Sequence, residues 1–211
     1  MYRRNGYPRR VVITGQGVVC PLGLSVEEFW KRLIAGESGI GPVTRFDAAA
    51  YDTRIAGEVP GFKPDAYMDR KDVRRTDLFV QYAVAASSQA LEQAGIRAGV
   101  VDPNRFGVIV GSGIGGISTF EDQHRTLLEK GPNRVSPFFI PMMISDMASG
   151  QVSILFGAKG PNYCTVSACS SGAHAVGEAF RIIQNSEAEL MIAGGAEAPV
   201  TPISFAGFCS M

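Results

Sequence analysis

Short runs of β-branched and other apolar residues alternate along this chain with longer segments that have helical periodicity. The runs predict buried strands at residues 11–14, 106–110, 162–166 and 189–193. The segments between them predict helices at residues 25–34, 69–94, 118–130, 144–156 and 170–184. This alternation is typical of an α/β domain in which a largely parallel sheet is covered by helices on both faces.

Local signals mark several of the helix ends. Ser25 is followed by Glu28 three residues later, which is the capping-box pattern at the start of a helix. Gly36 and Gly95 stand where the first two helical segments should stop. Residues 36–66 are rich in Gly, Pro and Asp, and they predict a long irregular excursion between the two helices.

The charge balance excludes one class of function. The chain has 211 residues, with 20 Lys plus Arg against 20 Asp plus Glu, and a formal net charge of +0. A chain that holds nucleic acid by bulk positive charge is therefore excluded, although a local basic patch is not. On this charge balance we expect no nucleic acid as partner. No segment is apolar for long enough to span a bilayer, so we expect no membrane as partner either.

The N-terminus has the outline of a signal peptide, because basic residues precede an apolar run. Gly15 and Gly17 interrupt that run, and no small-x-small cleavage site follows it. We therefore interpret residues 1–10 as a basic tail and residues 11–211 as one domain that starts with a buried strand.

The cysteines predict neither a metal site nor a disulfide framework. They are Cys20, Cys164, Cys169 and Cys209. Their spacing matches no zinc pattern, and four thiols in a chain of this length are not typical of a disulfide-stapled domain. A reducing, cytoplasmic environment is the default expectation for such a chain.

The segment Gly111-Ser-Gly-Ile-Gly-Gly116 fits the G-x-G-x-x-G fingerprint of dinucleotide-binding turns and lies between a predicted strand and a predicted helix. No second parallel strand follows that helix, and no acidic residue stands where a ribose hydroxyl would need it. We favour a tight turn that packs closely, and keep nucleotide binding as an alternative that dialysis against NAD(P) would test.

Cys169 stands at the junction of a predicted strand and a long predicted helix, within Thr165-Val-Ser-Ala-Cys-Ser-Ser-Gly172. A turn of this kind exposes a nucleophile above a sheet. The positive end of the helix dipole favours a thiolate, and free N–H groups there can stabilise an oxyanion. The position alone leaves a small, inert cysteine as the alternative. We expect Cys20, Cys164 and Cys209 to be structural.

The histidines and one basic stripe complete the set of candidates. His174 lies more than one turn beyond Cys169, so we interpret it as a packed or interface residue, and His124 as solvated. No cysteine–histidine pair is evident.

A basic stripe contains Arg70, Lys71, Arg74 and Arg75. It is either a solvated helix face or a landing site for an acidic partner.

Several motifs occur in an order that resembles one enzyme family. They are Val11-Val-Ile-Thr-Gly-x-Gly, Ser38-Gly-Ile, Thr44-Arg-Phe-Asp47, Gly111-Ser-Gly-Ile-Gly-Gly116, Ser136-Pro-Phe-Phe, Gly160-Pro, Ser167-Ala-Cys-Ser-Ser-Gly172 and Ala193-Gly-Gly-Ala-Glu197. From Arg9 to Met211 the chain resembles the elongating β-ketoacyl-[acyl carrier protein] synthases of dissociated fatty acid synthesis, the type II enzyme in particular. The resemblance implies a thiolase-like α-β-α-β-α fold, with this chain covering most of the first of two similar halves.

The resemblance implies a decarboxylative Claisen condensation of an acyl-thioester with malonyl-carrier protein, without metal or organic cofactor. By it, Cys169 is the acyl-accepting nucleophile, Ile114 gates the acyl pocket, and Phe208 lies near its mouth. Phe139 reaches towards the partner subunit's pocket in a homodimer. The resemblance also assigns the contact with acyl carrier protein to Lys71, Arg74 and Arg75.

One departure from the family leads to a further expectation. The family takes two histidines and a lysine from its second half, and neither His124 nor His174 matches them, so we expect residues 1–211 alone to be inactive. Two alternatives stay open besides nucleotide binding. They are the ketosynthase of a dissociated polyketide synthase and a non-catalytic fragment that only binds carrier protein.

Overall fold

The computed structural model describes residues 3–4, 7–97 and 99–211. Its strands are β1 (Arg3–Arg4), β2 (Tyr7–Pro8), β3 (Gly41–Pro42), β4 (Ile55–Ala56), β5 (Phe106–Gly111), β6 (Asn162–Tyr163) and β7 (Leu190–Gly195). Its α-helices are α1 (Val26–Ile34), α2 (Arg70–Val73), α3 (Leu78–Gln93), α4 (Ile117–Lys130), α5 (Phe139–Met143), α6 (Met147–Phe156), α7 (Ser171–Gln184) and α8 (Pro202–Cys209). Short 3-10 turns lie at Pro64–Ala66, Pro103–Arg105 and Pro132–Arg134.

The central sheet is parallel, as the alternation predicted. β5 lies in the middle and is buried along its whole length, with β6 on one side and β7 on the other. The β5–β7 pairing runs from Phe106 opposite Leu190 to Gly111 opposite Gly195. Because all three strands point the same way, the segments that follow them emerge at one edge of the sheet.

Helices cover both faces of this sheet, which confirms the second part of the prediction. On one face, Val108 packs with Val84 of α3 and Val152 of α6 in a buried cluster. On the other face, Ile109 packs with Ile182 of α7. Val108 and Ile109 are neighbours in β5, and successive side chains of a strand point to opposite faces. The described domain therefore has three layers, α-β-α.

Residues 11–14 do not form the buried strand that was predicted. They pair with no strand among the described residues, and Val12 and Ile13 are 69% and 79% exposed. The chain that follows lies along α3, where the N–H of Val18 donates to Oε1 of Gln89 at 3.0 Å. β-branched residues favour an extended backbone, but a strand also needs a neighbouring strand, and the neighbour here is a helix.

The predicted helix over residues 69–94 is broken into α2 and α3. The break is fixed by Asp77, which is 4% exposed and caps α3 by accepting the N–H of Phe79. Its Oδ2 also accepts the N–H of Thr119 at 3.0 Å and the Oγ1 hydroxyl of the same residue at 2.6 Å. The carboxylate thus joins the starts of α3 and α4, and a continuous helix would not present it to both.

The remaining helix predictions differ from the structure by a few residues at most. The Oγ of Ser25 accepts the N–H of Glu28 at 3.2 Å, as a capping box requires, and α1 ends before Gly36. The predicted strand at residues 162–166 is shorter and ends at Tyr163, although the N–H of Ser112 still donates to the carbonyl oxygen of Thr165 at 3.3 Å. The predicted helix at residues 144–156 starts at Met147.

Two further observations concern the ends and the exterior of the chain. The predicted basic tail, residues 1–10, lies partly outside the described residues, and within it β1 and β2 form a short antiparallel pair. Over the described residues, no helix combines the length and the apolar character needed to cross a lipid bilayer.

Candidate active site

The carboxyl edge of the parallel sheet brings together three segments that are far apart in the sequence. Residues 112–116 follow β5, residues 164–170 follow β6, and residues 196–200 follow β7. In open α/β sheets this edge is where ligands bind. Cys169, Ile114 and Glu197 all lie on these segments.

Cys169 stands in a tight turn directly before α7. The preceding residue, Ala168, has φ +52°, in the left-handed region that residues with a Cβ rarely occupy. The side chain of Ser171, which is 3% exposed, stabilises this conformation. Its Oγ donates to the carbonyl oxygen of Ala168 at 2.7 Å and accepts the N–H of Ser167 at 2.9 Å. The side chain of Cys169 is exposed, as expected for a nucleophile presented at a strand–helix junction.

The surroundings favour Cys169 over the other thiols as a nucleophile. The N-terminus of α7, a helix of 14 residues, carries partial positive charge, and no side chain caps it. The other three cysteines are half-buried. Burial raises the pKa of the Cys164 thiol, so Cys164 has less thiolate than an ordinary cysteine at the same pH. The interpretation of Cys164 as structural is consistent with this.

The two histidines lie in different surroundings. His174 is exposed, and its Nδ1 lies 2.6 Å from the Oγ of Ser167. Of the two alternatives predicted for His174, a packed residue is wrong and an interface residue stays a prediction. The first turn of α7 brings His174 back to the turn that contains Cys169. His124 is exposed and stacks on Phe120, with 6.1 Å between ring centroids, which confirms that it is solvated.

Glu197 is the residue of this edge that the sequence analysis missed. Its Oε2 accepts the N–H groups of Gly113 at 2.6 Å and Ile114 at 2.9 Å. Its Oε1 accepts the hydroxyl of Ser112 at 3.0 Å and the N–H of Gly115 at 3.1 Å. One carboxylate thus binds every residue from 112 to 115. The sequence did contain a signal for this role. An acidic residue follows the glycines 194 and 195 at the end of one predicted strand, and a glycine-rich segment follows another predicted strand.

This arrangement argues against the dinucleotide alternative. The amides of residues 113–115 are the donors that a pyrophosphate would need, and the Glu197 carboxylate already binds them. The chain then runs through α4, α5 and α6 before β6 forms, whereas a single helix joins the two strands in the βαβ unit of a Rossmann fold.

The glycine-rich turn packs directly against the turn that contains Cys169. A Cβ on Gly113 would lie 3.5 Å from the Cα and the carbonyl oxygen of Ala168. At the start of α7, a Cβ on Gly172 would lie 3.1 Å from the Cα of Gly195. These close approaches fix the start of α7, and with it Cys169, over the ends of β5 and β7.

The predicted pocket residues line neither of the two cavities that border Glu197. Ile114 is 41% exposed in the glycine-rich turn, and Phe208 is 59% exposed on α8. Phe139 is half-buried at the start of α5, its ring centroid 6.4 Å from that of Phe120. A cavity of about 240 Å³ beside Glu197 is lined by none of the three predicted pocket residues. Their assignment to an acyl pocket stays a prediction.

The basic stripe is exposed and lies where α2 ends. Lys71 is on α2, whereas Arg74 and Arg75 follow its last residue, so the stripe does not run along one helix. The guanidinium of Arg75 lies 4.4 Å from the ring centroid of Phe138, beside Phe139. A cation–π contact therefore joins the stripe to the segment that carries a predicted pocket residue.

The described residues include no cluster of three or more His, Cys, Asp or Glu side chains arranged to hold a metal ion. The groups at this edge that can act chemically are the exposed Cys169 thiol, the helix N-terminus beside it, and a glycine-rich turn fixed by a carboxylate. This combination suits transfer of an acyl group to sulfur.

Comparisons with known proteins agree with this geometry. Residues 8–211 match the model of the family described as "Beta-ketoacyl synthase, N-terminal domain". The chain is 50% identical over 202 residues to 3-oxoacyl-[acyl-carrier-protein] synthase 2 of Synechocystis sp., covering 96% of this chain and 49% of that protein. It is 48% identical over 200 residues to the Staphylococcus aureus (strain COL) protein of the same name, covering 95% and 48%.

The fold is likewise shared with a solved structure. The ishigamide ketosynthase/chain length factor superposes with a TM-score of 0.89 at 30% identity, over 97% of this chain and 51% of that one. The chain spans about half the length of the curated relatives it matches. The predicted thiolase-like α/β fold, with this chain forming part of a larger body in its relatives, is therefore confirmed, and the chain belongs to the β-ketoacyl synthase N-terminal domain family.

Proposed function

We propose that the protein to which this chain belongs elongates acyl chains by decarboxylative Claisen condensation with malonyl-[acyl carrier protein] in fatty acid biosynthesis. The observation that carries the proposal is the exposed Cys169 thiol at the N-terminus of α7. The relatives at 50% and 48% identity, both named 3-oxoacyl-[acyl-carrier-protein] synthase 2, support the substrate class.

The first step is acyl transfer to sulfur. The Cys169 thiolate attacks the carbonyl carbon of an acyl-thioester, the bond from that carbon to the carrier's sulfur breaks, and the carrier leaves as a thiolate that takes up a proton. The negative charge that develops on the carbonyl oxygen needs N–H donors close by. At the start of α7, the N–H groups of Ser170 and Ser171 donate to Ser167 and Ala168, and we assign this role to the other N–H groups of the first turn.

The second step joins the two carbon units. Malonyl-thioester loses carbon dioxide, the resulting carbanion attacks the Cys169 thioester, and the thiolate leaves as the ketoacyl product forms. The carbanion and its enolate oxygen require positioned hydrogen-bond donors. His174 is bonded through Nδ1 to Ser167, and His124 stacks on Phe120, so we assign neither to this step.

We propose that Lys71, Arg74 and Arg75 bind the acidic carrier protein. The three side chains are exposed, and no carboxylate among the described residues lies within ion-pair distance of them, so their charge is available to a partner. The adjacent Arg70 differs, because it pairs with Asp65 at 3.7 Å.

We further propose that Ile114, Phe139 and Phe208 line the acyl pocket and that the protein is a homodimer in the cytoplasm. In support of a homodimer, the outer side of α7 exposes Val176 and Phe180, which are 48% and 45% exposed. Exposed apolar residues on one helix face are typical of a subunit interface. The four free cysteines are consistent with a reducing compartment.

The test is mass spectrometry of the intact gene product after incubation with acyl-carrier protein. A thioester adduct on Cys169, absent from Cys169→Ala, is the expected result. Its absence would overturn the proposed function and favour a fragment that only binds carrier protein. An adduct with a polyketide starter but none with saturated acyl chains would favour a polyketide ketosynthase. The similarity to the ishigamide ketosynthase/chain length factor supports this second candidate.

A further inference from the structure

The glycine-rich turn that carries Ile114 has no regular secondary structure to hold it. Residues 112–115 lie between the end of β5 and the start of α4, and Gly115 has φ +78°. Besides the bonds to Glu197, the Gly115 N–H donates to the Oγ of Ser112 at 3.1 Å. Backbone bonds hold its two ends, from the N–H of Ser112 to Thr165 at 3.3 Å and from the N–H of Gly116 to Met143 at 2.9 Å. Between these ends, the N–H groups of residues 113–115 all donate to the Glu197 carboxylate, which therefore holds the middle of the turn.

The same turn is in contact with the nucleophile's own turn. A Cβ on Gly113 would lie 3.1 Å from Oε2 of Glu197 on one side and 3.5 Å from Ala168 on the other. Ala168 directly precedes Cys169 and has its backbone in the left-handed region. A shift of the glycine-rich turn would move Ile114 relative to the thiol, and it would also disturb the conformation of residue 168.

We propose that Glu197 is a positioning residue that fixes Ile114 relative to Cys169 and thereby sets which acyl lengths the thiol accepts; this rests on the proposed function. The carboxylate touches no reacting atom in this assignment. Its four bonds cross 82 to 85 residues of sequence and link the end of β7 to the turn after β5. Bonds to a carboxylate are stronger than bonds between neutral groups, which suits a group that holds a flexible turn.

Glu197→Gln is the informative change because the side chain keeps its shape. The amide group replaces one acceptor by a donor, and that donor must face N–H groups that also donate. We expect the turn to loosen while the fold persists. In hydrogen–deuterium exchange, the amides of Gly113, Ile114 and Gly115 should lose protection, and amides of β5 should not.

The functional readout is the ratio of long to short acyl groups loaded onto Cys169 of the intact gene product, measured by mass spectrometry. We expect Glu197→Gln to change this ratio by about tenfold, because pocket shape discriminates between chain lengths. Glu58→Gln is the matched control, since Glu58 accepts two N–H groups and a hydroxyl from Thr44 and Arg45 on a different turn. Its ratio should equal that of the unsubstituted protein.

The outcomes separate the two hypotheses. No adduct on the unsubstituted protein would overturn the proposed function. A second outcome would overturn only the role of Glu197. In it, the unsubstituted protein is loaded at Cys169, the amides of residues 113–115 lose protection in Glu197→Gln, and the ratio of long to short acyl groups does not change. If Glu197→Gln does not fold, Ser112→Ala takes its place, because it removes one donor and leaves three amides bound. In Ser112→Ala, a change of the long-to-short loading ratio by less than tenfold supports the proposal, and a ratio equal to that of the unsubstituted protein overturns it.

Discussion

The Oγ of Ser171 donates to the carbonyl oxygen of Ala168 at 2.7 Å, which closes the turn that presents Cys169. The same oxygen accepts the N–H of Ser167, so one buried hydroxyl satisfies backbone groups on both sides of the left-handed residue. The exposed thiol is thus held by a side chain from inside the helix that follows it.

Replacement of Ser171 by alanine should therefore destabilise the protein and misplace the thiol. The change removes two part-buried hydrogen bonds, although the Ala168 carbonyl still accepts the N–H of Ser171 at 3.1 Å. At about 0.5–1.5 kcal/mol each, the two bonds lower the free energy of unfolding by about 1–3 kcal/mol when they are lost. Urea titration measures this cost, and the rate of Cys169 alkylation measures the displacement. Ser210→Ala is the matched control, since its hydroxyl bonds Ala206 at 2.9 Å on an exposed helix end. Equal stability losses in the two variants would contradict the role of Ser171.

Cys169 should be the first thiol to react with limiting iodoacetamide. It is exposed and lies at a helix N-terminus, and alkylation follows the thiolate fraction. Burial raises the pKa of Cys164, so labelling of Cys164 should lag at neutral pH and gain as the pH rises. Peptide mapping at neutral and alkaline pH checks both statements. Preferential labelling of Cys20, Cys164 or Cys209 in the folded protein would refute the first.

The fold was predictable where the sequence pattern reports burial directly. The apolar run at residues 106–110 became the buried centre of the sheet, because a strand covered on both faces must be apolar throughout. The unpaired state of residues 11–14 was not predictable, because extended propensity does not reveal whether a partner strand lies alongside.

The part of the candidate site that depends on local sequence was predictable, and the part that depends on contacts between distant segments was not. The position of Cys169 at a strand–helix junction is a local property, and it was found from the sequence. The role of Glu197 depends on bonds across 82 to 85 residues, and the contact of Arg75 with Phe138 also joins distant segments. Such contacts follow from sheet order, which the linear pattern does not contain.

Reversal of two charges in the basic stripe should weaken carrier-protein binding. Arg74→Glu with Arg75→Glu replaces two exposed cations, and each pair formed with an acidic partner contributes roughly up to 1 kcal/mol. Binding measured at low and high salt should show the largest loss at low salt, because salt screens exposed charges. Lys31→Glu with Lys159→Glu changes net charge equally on other exposed surfaces. If both double variants lose the same affinity, the stripe is an ordinary solvated surface.

Ile114→Phe should exclude long acyl chains while sparing short ones. The larger side chain fills space next to the thiol, and a pocket discriminates between substrates by volume. Loading of Cys169 with a series of acyl-carrier proteins measures the profile. Ile140→Phe, at another exposed isoleucine, controls for the added ring. An unchanged profile in Ile114→Phe would place the acyl pocket elsewhere.

Residues 1–211 expressed alone should release no carbon dioxide from malonyl-carrier protein. Decarboxylation creates a carbanion and an oxyanion, and both need positioned donors. The resemblance to the family assigns this role to two histidines of the second half. We therefore expect neither His174, bonded through Nδ1 to Ser167 at 2.6 Å, nor His124, stacked on Phe120, to serve the malonyl group. We expect the isolated chain to associate, because Val12 and Ile13 are largely exposed. Addition of the C-terminal half of a relative such as the Synechocystis synthase should restore release of labelled carbon dioxide. Robust turnover by a monomer of residues 1–211 would show that donors within this chain suffice.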